Sequence, residues 1–102
     1  MKNLQAFLEK NIITVFSKSY CPYCVRTKNK LDNKGFLYKA FEVDENEVPN
    51  HIVKEMQKKT GHYTFPSVFI GDMFVGGDSD LTKIIQNGKF DKIVQEKGIN
   101  KA

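Results

Sequence analysis

The spacing of apolar positions changes several times along the chain, and each change predicts an element. Leu4, Phe7 and Leu8 stand three and four residues apart, so residues 3–10 predict a short amphipathic helix. Ile12-Ile13-Thr14-Val15-Phe16 is β-branched and nearly all apolar, as a strand covered on both faces would be. Ser17 to Tyr20 reads as a loop. The run from Tyr23 to Lys34 predicts a helix with a thin apolar stripe, Val25 and Leu31. Pro22 suits its first turn, where the missing N–H costs nothing, and Gly35 suits the position just past its end. Phe36 to Val43, rich in aromatics with partial alternation, predicts a second strand. Strand, helix and strand within about thirty residues form a βαβ unit, whose strands are parallel and whose crossover is right-handed.

Pro49 then opens a helix with Ile52, Val53 and Met56 on one face, ended by Gly61. Ser67-Val68-Phe69-Ile70 and Met73-Phe74-Val75 flank Gly71-Asp72, which suits a type II′ hairpin turn. A hairpin added to a parallel pair makes the sheet mixed. After Gly76-Gly77, Asp78 or Ser79 is placed to cap a helix carrying Leu81, Ile84 and Ile85. Gly88 would stop it, and Phe90, Ile93 and Val94 build a last helix before Gly98. With no repeat, linker or low-complexity stretch, residues 1–102 read as a single α/β domain.

Composition narrows the partners. The chain is 40% hydrophobic and 27% charged, which excludes disordered and fibrous classes. Its longest apolar run, of about five residues, falls far short of the roughly 20 a membrane helix needs. The first ten residues interrupt their apolar positions with charges and amides, unlike a secretory leader, so a cytoplasmic location is expected. A formal charge of +4 favours small anions. The lysines are scattered and Trp is absent, so neither a nucleic-acid nor a membrane partner is expected.

Cys21 and Cys24 are the two cysteines of the chain. Random placement would give that spacing roughly 2% of the time, so the pair is informative. A disulfide closing so short a loop is a poor staple, and a reactive dithiol is the leading reading. Cys21 sits where a helix begins, facing unpaired N–H groups and the positive end of the helix dipole, and both favour a thiolate. Lys18 adds positive charge nearby. Cys24 lies one turn deeper, as a resolving thiol should. Structural zinc is the rival reading, but it needs four ligands. His51 and His62 are too far apart in sequence to complete a usual set; His51 reads as a solvated helix residue and His62 as a loop residue. No metal is expected.

Three segments together carry a resemblance: Ser17-Lys18-Ser19-Tyr20-Cys21-Pro22-Tyr23-Cys24, then Thr64-Phe65-Pro66, then Gly76-Gly77-Asp78-Ser79-Asp80-Leu81. In order and spacing the chain resembles a dithiol glutaredoxin over essentially its whole length. Thioredoxins differ in carrying Gly-Pro between the cysteines and a Trp before them. The resemblance implies a thioredoxin-like fold, a four-stranded mixed β-sheet flanked by helices, in a monomer that uses glutathione as co-substrate. It implies that Cys21 is the nucleophile and Cys24 the resolving thiol in reducing glutathionylated or disulfide-bonded proteins. Pro66 resembles the family's cis-proline, leaving the Phe65 backbone free to pair with the tripeptide, and Thr64 flanks that groove. Tyr23 would cover the bound tripeptide and Lys18 meet its glycine carboxylate. Gly77, Asp78 and Ser79 would hold the γ-glutamyl carboxylate at a helix start, and Asp80 would pair with its ammonium group.

Two departures stand out. Relatives often carry Gln or Arg about eleven positions before Thr64, where this chain has Val53, which cannot donate; Lys54, about 100° further round a helix, is a doubtful substitute. The loop usually reads Thr-Val-Pro, and Phe65 is bulkier. A second role within the family, carrying an iron–sulfur cluster with glutathione as co-ligand, stays open as the alternative.

Overall fold

The computed structural model describes residues 3–102. Its sheet has four strands: β1 (Ile13–Ser17), β2 (Tyr38–Glu42), β3 (Ser67–Ile70) and β4 (Met73–Gly76). They lie in the order β2-β1-β3-β4. β1 runs parallel to β2, with Ile13 opposite Tyr38 and Ser17 opposite Glu42. β3 is antiparallel to both β1 and β4. The helices are α1 (Pro22–Lys34), α2 (Asn50–Thr60), α3 (Asp78–Gln86) and α4 (Lys89–Lys97). The mixed sheet with its helices is the expected architecture.

β1 is buried along its whole length because both faces are covered. Ile13 and Val15 join Leu31, Val68, Ile70, Leu81, Phe90 and Val94 in one cluster, under α1, α3 and α4. Phe16 points the other way and packs with Leu4, Leu8, Ile52, Met56 and Phe69, under α2 and the N-terminal segment. Two apolar faces on one strand leave no room for polar alternation, which is why the sequence there reads as a continuous run. Gly71 takes φ +60° in the β3–β4 turn, while Asp72 stays at negative φ, in keeping with a II′ turn. A Cβ on Gly71 would come within 2.7 Å of the Lys10 carbonyl oxygen, so the position needs glycine twice over.

Several boundaries differ from expectation. The N-terminal helix is only a 3₁₀ turn, Leu4–Phe7; three apolar residues are too few to sustain a longer helix. Ser17 belongs to β1 rather than to a loop. Val25 faces solvent, and α1 instead buries Cys24, Thr27 and Leu31. The apolar stripe looked thin because two of its buried positions are a cysteine and a threonine. Asn87, not Gly88, ends α3; Gly88, at φ +82°, begins α4.

Candidate active site

Cys21 is the N-cap of α1, in extended backbone at φ −91° and ψ 116°. Its carbonyl takes the first ladder bond, from the Val25 N–H at 3.2 Å. Its sulfur does the work a Ser or Asp oxygen does at other helix starts, accepting the Cys24 N–H at 3.4 Å. On its outer side the thiol donates to the Phe65 carbonyl at 3.6 Å. Cys21 therefore bridges the start of α1 and the loop before β3. Both cysteines are free thiols, Cys21 half-buried and Cys24 fully buried. Burial, followed by the hydrogen bond with Cys21, pushes the Cys24 thiol up from its ordinary value of 9.0. One residue of the pair is thus accessible and the other is held neutral.

The segment leading into Cys21 is tied down from the side. Asp44 accepts the Ser19 N–H at 2.9 Å and the Ser19 hydroxyl at 2.5 Å. Those bonds, the hydroxyl's first, hold the Asp44 carboxyl below its ordinary 3.8. Lys18 places its ammonium 5.0 Å from the centre of the Phe65 ring and 5.9 Å from that of Tyr20, within cation–π range. The bulk at Phe65 therefore gives the Lys18 charge a resting place beside Cys21.

Next to Cys21 runs a groove of about 460 Å³, lined by Tyr23, His62, Thr64, Phe65, Pro66, Gly77, Asp78, Ser79 and Asp80. Each of these except His62 is a residue that the resemblance implies for the site. The Phe65–Pro66 peptide bond is cis. Tyr23 is largely exposed, with the Arg26 guanidinium 5.1 Å from its ring centre. Lys18 and Cys21 stand at the groove's end through their contacts with Phe65.

The opposite wall is the start of α3, and here the structure corrects the expected cap. Neither Asp78 nor Ser79 caps the helix; the N-cap is Gly77, which brings no side chain. The ladder begins at the Leu81 N–H, bonded to the Gly77 carbonyl at 3.0 Å. Asp78 turns its carboxylate away from α3 and onto α1, accepting from the Thr27 hydroxyl at 2.8 Å and from Lys30 at 2.7 and 2.9 Å. It can offer the groove its backbone but not a free carboxylate. Asp80 folds back so that Oδ2 accepts the Gly77 N–H at 3.0 Å. A Cβ at Gly76, which sits at φ +128°, would collide with that carboxylate.

His62 lies in a loop, as expected, and also lines the groove. Its Nε2 lies 3.2 Å from the Pro66 carbonyl oxygen and 3.3 Å from the Thr64 hydroxyl. A carbonyl only accepts, so Nε2 carries the proton of the Pro66 bond. The ring also packs against Phe74 and comes near Gly77, joining the two walls of the groove. No spacing rule marks a lone histidine for this place. Val53 is buried in the core and Lys54 is exposed, so Val53 offers the groove no polar contact. No group of three or more His, Cys, Asp or Glu side chains that could hold a metal ion occurs among the described residues.

Comparison with known proteins agrees in sequence and in fold. Residues 13–75 match the family model described as Glutaredoxin. Glutaredoxin-2 of Schizosaccharomyces pombe is 41% identical, across 96% of this chain and 93% of its own. Glutaredoxin-C2 of Arabidopsis thaliana is 35% identical, across 96% of this chain and 88% of its own. Among solved structures, a buckwheat glutaredoxin–glutathione complex superimposes with a TM-score of 0.85 at 33% identity, covering 94% of this chain and 87% of that one.

Proposed function

The chain belongs to the glutaredoxin family and is a glutathione-dependent thiol oxidoreductase, and we propose that it reduces protein–glutathione mixed disulfides through Cys21 and protein disulfides through Cys21 and Cys24 together. The observation that carries this reading is the contrast between the two thiols, one an N-cap beside an open groove and the other buried beneath it. An attacking sulfur must be reached by substrate, whereas a resolving sulfur has only to reach its neighbour.

In the first reaction the Cys21 thiolate attacks the glutathione sulfur of the mixed disulfide. The old S–S bond breaks, the protein leaves as a thiol, and glutathione stays on Cys21. A second glutathione attacks that sulfur, restores Cys21 and departs as glutathione disulfide. In the second reaction Cys21 forms a mixed disulfide with the substrate protein. Cys24 attacks Cys21, the substrate leaves reduced, and the Cys21–Cys24 disulfide is returned to dithiol by two glutathiones.

The groove supports a tripeptide in one orientation. Its cysteine would lie along the backbone of Phe65, with its sulfur against Cys21, between Thr64 and the Tyr23 ring. The γ-glutamyl carboxylate would meet the uncapped N–H groups of Asp78, Ser79 and Asp80, where the helix dipole adds to the attraction. Asp80, with one oxygen already committed to Gly77, would turn the other toward the γ-glutamyl ammonium. Lys18 would leave the face of Phe65 for the glycine carboxylate. The deciding experiment is hydroxyethyl disulfide reduction coupled to glutathione, glutathione reductase and NADPH, on wild type and Cys24→Ser. Activity in both, with insulin disulfide reduction lost only in the variant, is the expected result. Inactivity of both proteins in the coupled assay would overturn the reading.

A further inference from the structure

His62 lines the groove but takes no part in either thiol exchange. It follows Gly61, which ends α2, and its backbone N–H donates to the Thr60 hydroxyl at 3.2 Å. That hydroxyl in turn donates to the Met56 carbonyl at 2.8 Å, so the end of α2 carries the imidazole into place. There the ring meets both walls. Nε2 lies 3.2 Å from the carbonyl oxygen of buried Pro66, in the loop after Cys21's partner Phe65. The ring centre is 5.5 Å from that of Phe74 on β4. Its Cε1 edge faces Gly77, the N-cap of α3, where an added Cβ would come within 3.4 Å. The tautomer also settles the Thr64 hydroxyl. With its proton directed to the Pro66 carbonyl, Nε2 has no lone pair to offer. Thr64 Oγ1, 3.3 Å from the same nitrogen, can then only accept from it. The hydroxyl's own proton is left for the groove, where Thr64 is exposed.

We propose that His62 is a positioning residue for glutathione, clasping the Thr64–Pro66 loop to the start of α3 and turning the Thr64 hydroxyl proton toward the bound tripeptide. The inference rests on glutathione lying in this groove. The loop would hold the cysteine of the tripeptide and the helix start its γ-glutamyl carboxylate, so one side chain sets the span between the two. His62 touches no reacting atom, and its loss weakens binding rather than turnover. The nitrogen matters more than the ring. Packing on Phe74 and Gly77 asks only for a flat side chain, which phenylalanine also supplies. The contacts with Pro66 and Thr64 need a donor where Nε2 stands. Glutamine carries an amide nitrogen to about that place, whereas asparagine stops at the place of Nδ1.

The test is steady-state reduction of the mixed disulfide of cysteine and glutathione, coupled to glutathione reductase and NADPH. His62→Phe and His62→Asn should each raise KM about fivefold or more, as loss of one or two hydrogen bonds requires. Their kcat should stay within about twofold of wild type. His62→Gln should bring KM back to within about twofold, a rescue that a purely steric role would not produce. An unchanged KM in His62→Phe, or a His62→Gln no better than His62→Asn, overturns the inference. Tyr23→Ala tests the groove itself without touching His62. If KM rises in Tyr23→Ala but not in His62→Phe, the clasp alone fails. If neither variant moves KM, glutathione does not lie in the groove, and the functional reading of the site fails with the clasp.

Discussion

Two helices begin at the same groove, and they begin differently. α1 starts at Cys21, whose sulfur takes up a helix N–H as its own cap. α3 starts at Gly77, which caps nothing, while the acidic residue after it is bonded to another helix. At α1 the helix start is capped by a sulfur of the chain itself, the one that under the proposed function does the chemistry. At α3 no side chain caps the first turn, and under the proposed function its donors are left for an anion from outside. A helix start suits a nucleophile or a carboxylate according to what fills its first turn, and the two starts of this chain differ in that respect beside one groove.

The comparison breaks most completely at Cys21. Cys21→Ser keeps a capping atom but removes the nucleophile, so α1 should stay folded by circular dichroism while glutathione-dependent activity disappears. Measurable turnover in that variant would mean that the α1 end does not perform the chemistry. Breaking the other end should affect binding instead. Gly76→Ala drives a methyl group into the Asp80 carboxylate and is strained at its positive φ. The expected result is a KM for glutathione raised about tenfold, the equivalent of about 1.4 kcal/mol of lost binding, with a smaller change in kcat. A fall in kcat alone would deny α3 its binding role.

Asp78→Ala asks how firmly the two helix starts are joined. It leaves the buried Thr27 hydroxyl and Lys30 without their acceptor, and hydrogen bonds to charged groups contribute about 1.5–3 kcal/mol. Chemical denaturation should show a loss in that range, and a change smaller than about 0.5 kcal/mol would show that α3 stands without the tether. The smallest effect concerns Asp44 and the approach to Cys21. Its carboxyl is held below 3.8 by Ser19, so the unfolded chain takes up the proton first as pH falls. The contribution is complete above that value and fades below it, through the lower folded value. Asp44→Asn should flatten the part of the acid unfolding curve below about pH 4. An unaltered curve would remove the carboxylate from the account of that loop.

Element order and the dithiol were legible because their signals are local. The rhythm of Ile52, Val53 and Met56, the Gly71-Asp72 turn and the Cys-Pro-Tyr-Cys segment are all set by residues within a few positions of one another. The groove residues at Thr64–Pro66 and Gly77–Asp80 were legible only through family resemblance. Nothing in their own propensities separates a ligand-binding helix start from an ordinary capped one. Asp78 shows the limit, since its type and place fit a cap, and Thr27 and Lys30 on α1 outcompete its own helix for its carboxylate.

Sequence by itself thus determined the order of the elements and the spacing of the two thiols. Tertiary structure decided which thiol is buried, which side of α1 faces inward, where His62 rests, and that Ser17 bonds to Glu42. The physical reason is range. Propensity and periodicity act over one or two turns of chain, whereas Thr27 meets Asp78 across 51 residues and Ser17 meets Glu42 across 25. Such partners are chosen only once the strand order β2-β1-β3-β4 has fixed which helix lies over which strand.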